Sequence, residues 1–209
     1  MKATSTGRLW FLRTLSVLLM LASVYIAWYT VSSGRPRDFW KEKLNPQRGE
    51  ITAIPGEFED QQGKQVKLKD FQGKSIVATF VFKDCNISCP LIMTDLKFFD
   101  AENPGFKDNG VFLIFTFDDH RGKAAELQAF LNKYRIEGAH WRVLTADAKT
   151  IRNLADIFEL QYKKQQDGKY VYMHTNFYAV ADKSGKIKRE MRGIENNKSK
   201  FVEEIKSAL

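Results

Sequence analysis

Cysteine is almost missing from this chain: among 209 residues only Cys85 and Cys89 occur. A disulfide-stapled scaffold needs more cysteines, spread further along the sequence, so that class is excluded. A closed thiolate zinc site goes with it, because tetrahedral zinc wants four ligands and no other cysteine supplies them. Proline is scarce too, five residues ending at Pro104. A general Cys-x-x-Cys oxidoreductase pairs its motif with a cis-proline, and the second half of this chain has none to offer. Long basic runs are absent as well. The formal charge of +8 is spread over short stretches such as Lys163-Lys164 and Lys186-Ile187-Lys188-Arg189. With no reading motif beside them, nucleic-acid binding is not indicated, and a membrane surface or an acidic protein explains the surplus as well. There are no internal repeats and no low-complexity tracts.

What is abundant is apolar. The composition is 44% hydrophobic and 13% aromatic, with 16 Phe, which is ample for a packed interior and excludes a disordered chain. Much of the rest is distributed in runs with a recognisable period.

Thr14 to Val31 is an 18-residue stretch without charge, extendable backward through Leu9-Trp10-Phe11-Leu12. A hydrocarbon core about 30 Å thick takes about 20 helical residues, so the stretch is expected to span a membrane as an uncleaved anchor. Arg13 suits one interface by snorkelling, Trp28 and Tyr29 the other. Lys2, Arg8 and Arg13 precede the stretch and keep the N-terminus cytoplasmic, although Arg35 and Arg37 after it weaken the asymmetry. A cleaved signal peptide is the alternative. Ending it at Ala27 would put Tyr25 where a small residue is wanted, and a cut after Gly34 follows an unusually long apolar stretch. Either route exports the remainder. The expected organisation is a cytoplasmic N-terminus and anchor at 1–33, a polar linker at 34–49 carrying Pro36 and Pro46, and one domain at 50–209.

Within that domain strands and helices alternate. Asp60-Gln61-Gln62-Gly63 reads as a turn between two short strands. Ser75–Phe82 and Val111–Phe117 are near-continuous apolar runs, as expected of strands covered on both faces. Pro90 suits the first turn of a helix continuing to Asp100. Gly122–Tyr134, Ala148–Phe158 and Lys198–Ala208 have helical periodicity, and Trp141–Leu144 is strand-like. Asp167-Gly168 and Asp182-Lys183-Ser184-Gly185 mark two further hairpins. A strand leading into a cysteine loop and helix, then βα units, then a terminal hairpin and helix, is thioredoxin-like order: an α/β fold with a mixed sheet and helices on both faces.

The chemistry concentrates in Val81-Phe82-Lys83-Asp84-Cys85-Asn86-Ile87-Ser88-Cys89-Pro90. Cys85 follows a buried strand, beyond the edge where α/β sheets place ligands. Cys89 stands at or beside a helix start, where the dipole and free N–H groups favour a thiolate. Two such sulfurs can share one soft cation or close as a disulfide. With one imidazole added they fit Cu(I) well and Cu(II) acceptably. Three histidines are available. His174 lies just before the first strand of the last hairpin, and in a thioredoxin-like fold the loop before that strand lies beside the cysteine loop, so it is the first choice. His120 follows the Val111–Phe117 strand at the same edge and is the runner-up; His140 reads as structural or solvent-facing. Met173 reads as core packing, and Asp84 and Asp118 either tune the site or face solvent.

Cys85-x-x-x-Cys89-Pro90 after an apolar strand, with His174 ahead of the final hairpin, resembles the Sco/SenC family. The likeness runs from about Pro55 to Met191 and takes in Phe71-Gln72-Gly73-Lys74, Thr116-Phe117-Asp118 and Asp182-Lys183-Ser184-Gly185. The resemblance implies a membrane-anchored copper chaperone of thioredoxin fold serving cytochrome c oxidase assembly. Copper, as Cu(I) or Cu(II), would be held by Cys85, Cys89 and His174, and no residue would be catalytic. Its partners would be a copper-accepting oxidase subunit, the membrane through the N-terminal helix, and a thiol reductant. The globular domain would lie on the non-cytoplasmic side, facing a bacterial periplasm in preference to a mitochondrial space. Three positions depart from the family pattern: Asn86 stands where proline is usual, Met173 where an acid is usual, and Asp118-Asp119-His120 lacks its proline.

Two other functions compete. A thiol–disulfide reductase would use the same Cys85–Cys89 pair to keep a client's cysteines reduced. A peroxidase of the peroxiredoxin kind wants threonine three residues before its cysteine, where this chain has Phe82 or Asn86.

Overall fold

The computed structural model describes Trp10, residues 13–16 and 18–25, and 49–209 apart from 83, 84, 86, 87, 119–122, 161, 165–169, 173–175 and 194–196; at 162–164 and 170–172 only the backbone is described. The chain divides into two units, Met1–Leu44 and Asn45–Leu209.

In the larger unit the apolar run Ser75–Val81 becomes a strand, β3, and all seven residues are buried. Its neighbours explain the missing alternation. On one side lies parallel β4 (Gly110–Thr116), in register from Ser75↔Gly110 to Val81↔Thr116; on the other lies antiparallel β8 (Phe177–Ala181), with Thr79 opposite Tyr178. A strand paired on both edges and covered on both faces is mostly apolar, and its buried Thr79 hydroxyl is satisfied by the Phe177 carbonyl at 2.7 Å. β1 (Phe58–Asp60), β2 (Gln65–Val66), β5 (Trp141–Thr145) and β9 (Ile187–Arg192) complete a seven-stranded sheet of order β2-β1-β5-β4-β3-β8-β9. A separate antiparallel pair joins β6 (Tyr162–Lys164) to β7 (Tyr170–Tyr172). The turn expected at Asp167-Gly168 between them lies outside the described residues.

Successive residues of the sheet feed two cores. Val77, Val81, Phe112, Ile114, Tyr178 and Val180 face α1 (Ser88–Glu102), α3 (Ala124–Lys133) and α5 (Lys198–Lys206), with short α2 (Phe106–Asn109) at the rim. Ile76, Ala78, Phe80, Leu113 and Phe115 face α4 (Ala148–Ile157) and two 3₁₀ turns at Ile51–Ala53 and Leu68–Phe71. Each fully buried Phe or Leu side chain contributes about 1.5–3 kcal/mol, so both layers are driven by the same aromatic surplus seen in the composition. The expected mixed sheet with helices on both faces is what forms.

Local chemistry fixes the corners. Asp60 is fully buried and turns the first hairpin by accepting from the backbone N–H of Gln62 and Lys64 at 2.9 and 3.0 Å, while Arg142 on β5 reaches its other oxygen at 2.9 Å. Asp147 caps α4 by accepting from the N–H of Lys149 and Thr150, and Asn197 caps α5. Gly185 turns the last hairpin at φ +85, and a Cβ there would strike the Thr52 side chain. The 3₁₀ turns, α2 and the antiparallel β1–β5 pairing were not expected from the sequence.

In the smaller unit, Trp10, residues 13–16 and residues 18–25 are helical, with Leu18, Leu19, Met20, Leu21, Val24 and Tyr25 exposed. The expected span at 14–31 also covers residues 17 and 26–31, which lie outside the described residues. Among the described residues no helix is long and apolar enough to cross a membrane.

Candidate metal centre

The sheet delivers three segments to one edge. β3 and β4 are parallel, so Val81 and Thr116 end side by side and are followed by Phe82 to Cys85 and by Phe117-Asp118. β8 is antiparallel to β3, so its beginning lies at this same edge: Thr79 pairs with Tyr178, and Asn176 comes just before Phe177. Asn176 stands two positions after His174 in the sequence. Topology thus brings the residues after His174, from Asn176 onward, to the edge that carries the cysteine loop. His174 itself, with Met173, His120, Asp84 and Asn86, lies outside the described residues.

Both sulfurs are free thiols and both are buried, Cys85 at 4% exposure and Cys89 at 1%. Cys85 is the hub. Its Sγ accepts from the Cys89 backbone N–H at 3.0 Å and stands 2.9 Å from the Ser88 Oγ, while its own N–H donates to the Phe82 carbonyl at 3.3 Å. The Cys85 sulfur therefore serves one of the N–H groups that the start of α1 leaves without a helical partner, as a capping oxygen usually does.

Cys89 differs from expectation. It is the second residue of α1, its N–H is spent on Cys85, and its thiol points at the Phe82 carbonyl, 3.9 Å away. Burial pushes its pKa well above the ordinary thiol value of 9.0, and the Cys85 side chain adds to the rise. Burial therefore outweighs the helix start, and Cys89 favours the thiol over the thiolate.

Three neighbours carry no signal in the sequence. Tyr134, just after α3, packs against the cluster holding both cysteines, and its hydroxyl is raised to about 12, chiefly by burial. Asp95, six residues past Cys89 on α1, accepts from the Tyr178 hydroxyl at 3.0 Å inside the protein. Asn176 is 2% exposed, and among the described residues its Nδ2 has no partner. His140, expected to be structural or solvent-facing, is structural: its Nε2 lies 3.1 Å from both oxygens of Asp100, beside Trp141. Asp118 folds back on its own loop, taking the Thr116 hydroxyl at 3.3 Å while Thr145 binds its carbonyl.

The donor set suits a soft ion. Two adjacent thiols supply the sulfur, and an apolar surround of Val81, Met93 and Leu96 keeps water out. Among the described residues no group of three or more His, Cys, Asp or Glu could hold a metal.

A model of the SCO1/SenC family matches residues 46–209. The SCO1 protein homolog of Bacillus subtilis (strain 168) is 30% identical over 161 residues, covering 74% of this chain and 81% of that one. BsSco, described as a member of the Sco family of cytochrome c oxidase assembly proteins with a disulfide switch, superposes with TM-score 0.63 at 24% identity over 78% of this chain and 94% of its own. Bradyrhizobium japonicum ScoI, solved with copper bound, does so with TM-score 0.61 at 22% identity over 75% of this chain and all of its own, 100%.

Proposed function

Since the chain belongs to the SCO1/SenC family, we propose that it carries a copper ion as cargo between Cys85, Cys89 and His174 and delivers it to a copper-accepting subunit during cytochrome c oxidase assembly. The observation that carries this reading is the pair of free, adjacent, buried thiols at the start of α1. Relatives described as copper-bound or as oxidase assembly proteins support it. The match to the SCO1/SenC family supports His174 as the third ligand.

The ion supplies a soft, positively charged centre. The protein's part is to give up two thiol protons, hold the sulfurs at one helix turn, and keep water away until a client's ligands arrive. The test is metal analysis of the full-length chain purified anaerobically. About one copper per chain is expected, lost in Cys85→Ala and Cys89→Ala and greatly weakened in His174→Ala. Normal copper in the double cysteine variant sinks the reading.

The same adjacency favours a second role, thiol–disulfide exchange through Cys85 and Cys89 to keep client cysteines reduced, with an external thiol reductant restoring the pair. Comparing the reduction potential with and without copper separates the two.

We also propose that residues 1–33 anchor the protein in a membrane, through a 34–49 linker, with the domain at 50–209 on the non-cytoplasmic, periplasmic side. Support comes from the hydroxyls of the apolar stretch, which satisfy themselves on their own helix: Thr14 on the Trp10 carbonyl at 3.2 Å, Ser16 on Arg13 at 3.0 Å and Ser23 on Met20 at 2.8 Å. Lipid demands that internal satisfaction, and water does not. Alkaline carbonate extraction that released the full-length chain from membranes would refute the anchor.

A further inference from the structure

Ser88 is the first residue of α1, half-buried, and lies between the two cysteines in the sequence. A serine at a helix start normally spends its hydroxyl on a free backbone N–H of the first turn. Among the described residues no backbone N–H donates to this one. That service is done by a sulfur instead, since the Cys89 N–H goes to the Cys85 Sγ at 3.0 Å. The Ser88 hydroxyl goes to the same sulfur, at 2.9 Å. Two groups from the first turn of α1 therefore converge on Cys85. The Cys89 thiol, by comparison, points at the Phe82 carbonyl, 3.9 Å away, an acceptor that suits a thiol and not a bare sulfur anion.

Chemistry sets the direction of the Ser88–Cys85 hydrogen bond. A thiol can give or take a hydrogen, so in the metal-free chain either atom can donate. Once a soft cation has displaced the thiol proton, the sulfur carries no hydrogen and can only accept. The hydroxyl must then donate, beside the Cys89 N–H, and hydrogen bonds to a charged acceptor are the strong ones. Two donors from one rigid helical turn also fix where that sulfur stands. We propose that Ser88 is a positioning residue of the metal site, its hydroxyl holding the Cys85 sulfur in place as a ligand. This rests on the reading of Cys85 as a copper ligand. Outer partners of metal ligands typically change affinity about 10–100-fold when removed.

The test compares Ser88→Thr, which keeps a hydroxyl, with Ser88→Val, which has nearly the same shape without one, on the full-length chain in detergent. Anaerobic Cu(I) competition with a chromogenic chelator should find the threonine variant within about twofold of wild type and the valine variant weaker by about tenfold. A metal-free readout goes with it, the reduction midpoint of the Cys85–Cys89 disulfide in a glutathione buffer. A hydrogen bond to the reduced sulfur favours the dithiol. Its loss in Ser88→Val should shift the equilibrium constant towards the disulfide by about fivefold, about 20 mV, while Ser88→Thr stays put. Equal affinities in the two variants, or a midpoint that valine leaves unmoved, overturns the proposal. A wild-type chain that takes up no copper removes the functional reading and this proposal together. Copper-binding wild type with the valine and threonine variants alike removes this proposal alone.

Discussion

Cys85 does two separable things, and one pair of substitutions pulls them apart. Its sulfur accepts the Cys89 N–H at 3.0 Å and contacts the Ser88 hydroxyl at 2.9 Å, so it caps α1 as well as offering a metal ligand. Cys85→Ala removes both functions. Loss of a helix cap costs about 1 kcal/mol, within a range of about 0.5–2. In a protein of this size that lowers Tm by about 2–4 °C. Cys85→Ser places an oxygen on the same side chain, able to accept the same N–H, and serine is a favoured capping residue. Its Tm should stay within about 1 °C of wild type while copper binding collapses, because a hydroxyl is a hard, protonated ligand for a soft ion. The assay is thermal unfolding of the metal-free, reduced chains beside metal analysis of the same samples. Equal stability of the alanine and serine variants would refute the capping role, and copper retained by the serine variant would refute the ligand role.

Two further outcomes follow from the buried acids. Copper affinity should fall as pH falls, by about tenfold per unit for each thiol proton the ion displaces, because burial holds the Cys89 thiol above 9.0 and so protonated through the neutral range. A flat profile between about pH 6 and about pH 8 in a chelator competition contradicts this. Asp95 also has its pKa raised from 3.8, by burial, against the opposing pull of the Tyr178 hydrogen bond and the Lys198 charge. The folded state thus holds the proton more tightly than the unfolded one, and the penalty for charging Asp95 is absent below 3.8 and grows as pH rises through the native value. Asp95→Asn should therefore stabilise the fold at neutral pH, with the gain vanishing in acid; urea midpoints at several pH values decide it, and a gain largest in acid refutes it.

The sheet was readable because its strands are buried on both faces. Ser75–Val81 and Val111–Thr116 are near-continuous apolar runs of strand length, and turn chemistry at Asp60–Gly63 and Asp182–Gly185 marked the ends. The two 3₁₀ turns were silent because three or four residues give no periodicity to detect. The cysteine pair was legible from spacing alone, but which sulfur receives the helix N–H was not. That depends on α1 beginning at Ser88 and not at Pro90, a boundary shift of two residues. Asp95 and Tyr178 were illegible for another reason. A lone acid on an amphipathic helix reads as solvated, and only the packing of α1 on β8 shows it facing a tyrosine inward.

Burial of both sulfurs also orders them in any exchange reaction. A client must reach an ion, or a disulfide, through the less protected sulfur. Cys85 retains 4% of its surface and lies ahead of the helix, whereas Cys89 retains 1%, sits within the first turn of α1, and has its thiol held protonated by the surrounding core. The thiolate is the nucleophile toward a soft electrophile, so the burial of Cys89 and the raised pKa that follows from it both slow its reaction. Limited alkylation of the reduced, metal-free chain with iodoacetamide, followed by peptide mass spectrometry, should yield a single adduct on Cys85 before any on Cys89. Copper loading should suppress both adducts, because the sulfurs are then engaged. An adduct appearing first on Cys89 would mean that the buried sulfur is the one a partner meets, and the direction of hand-over drawn from this geometry would have to be reversed.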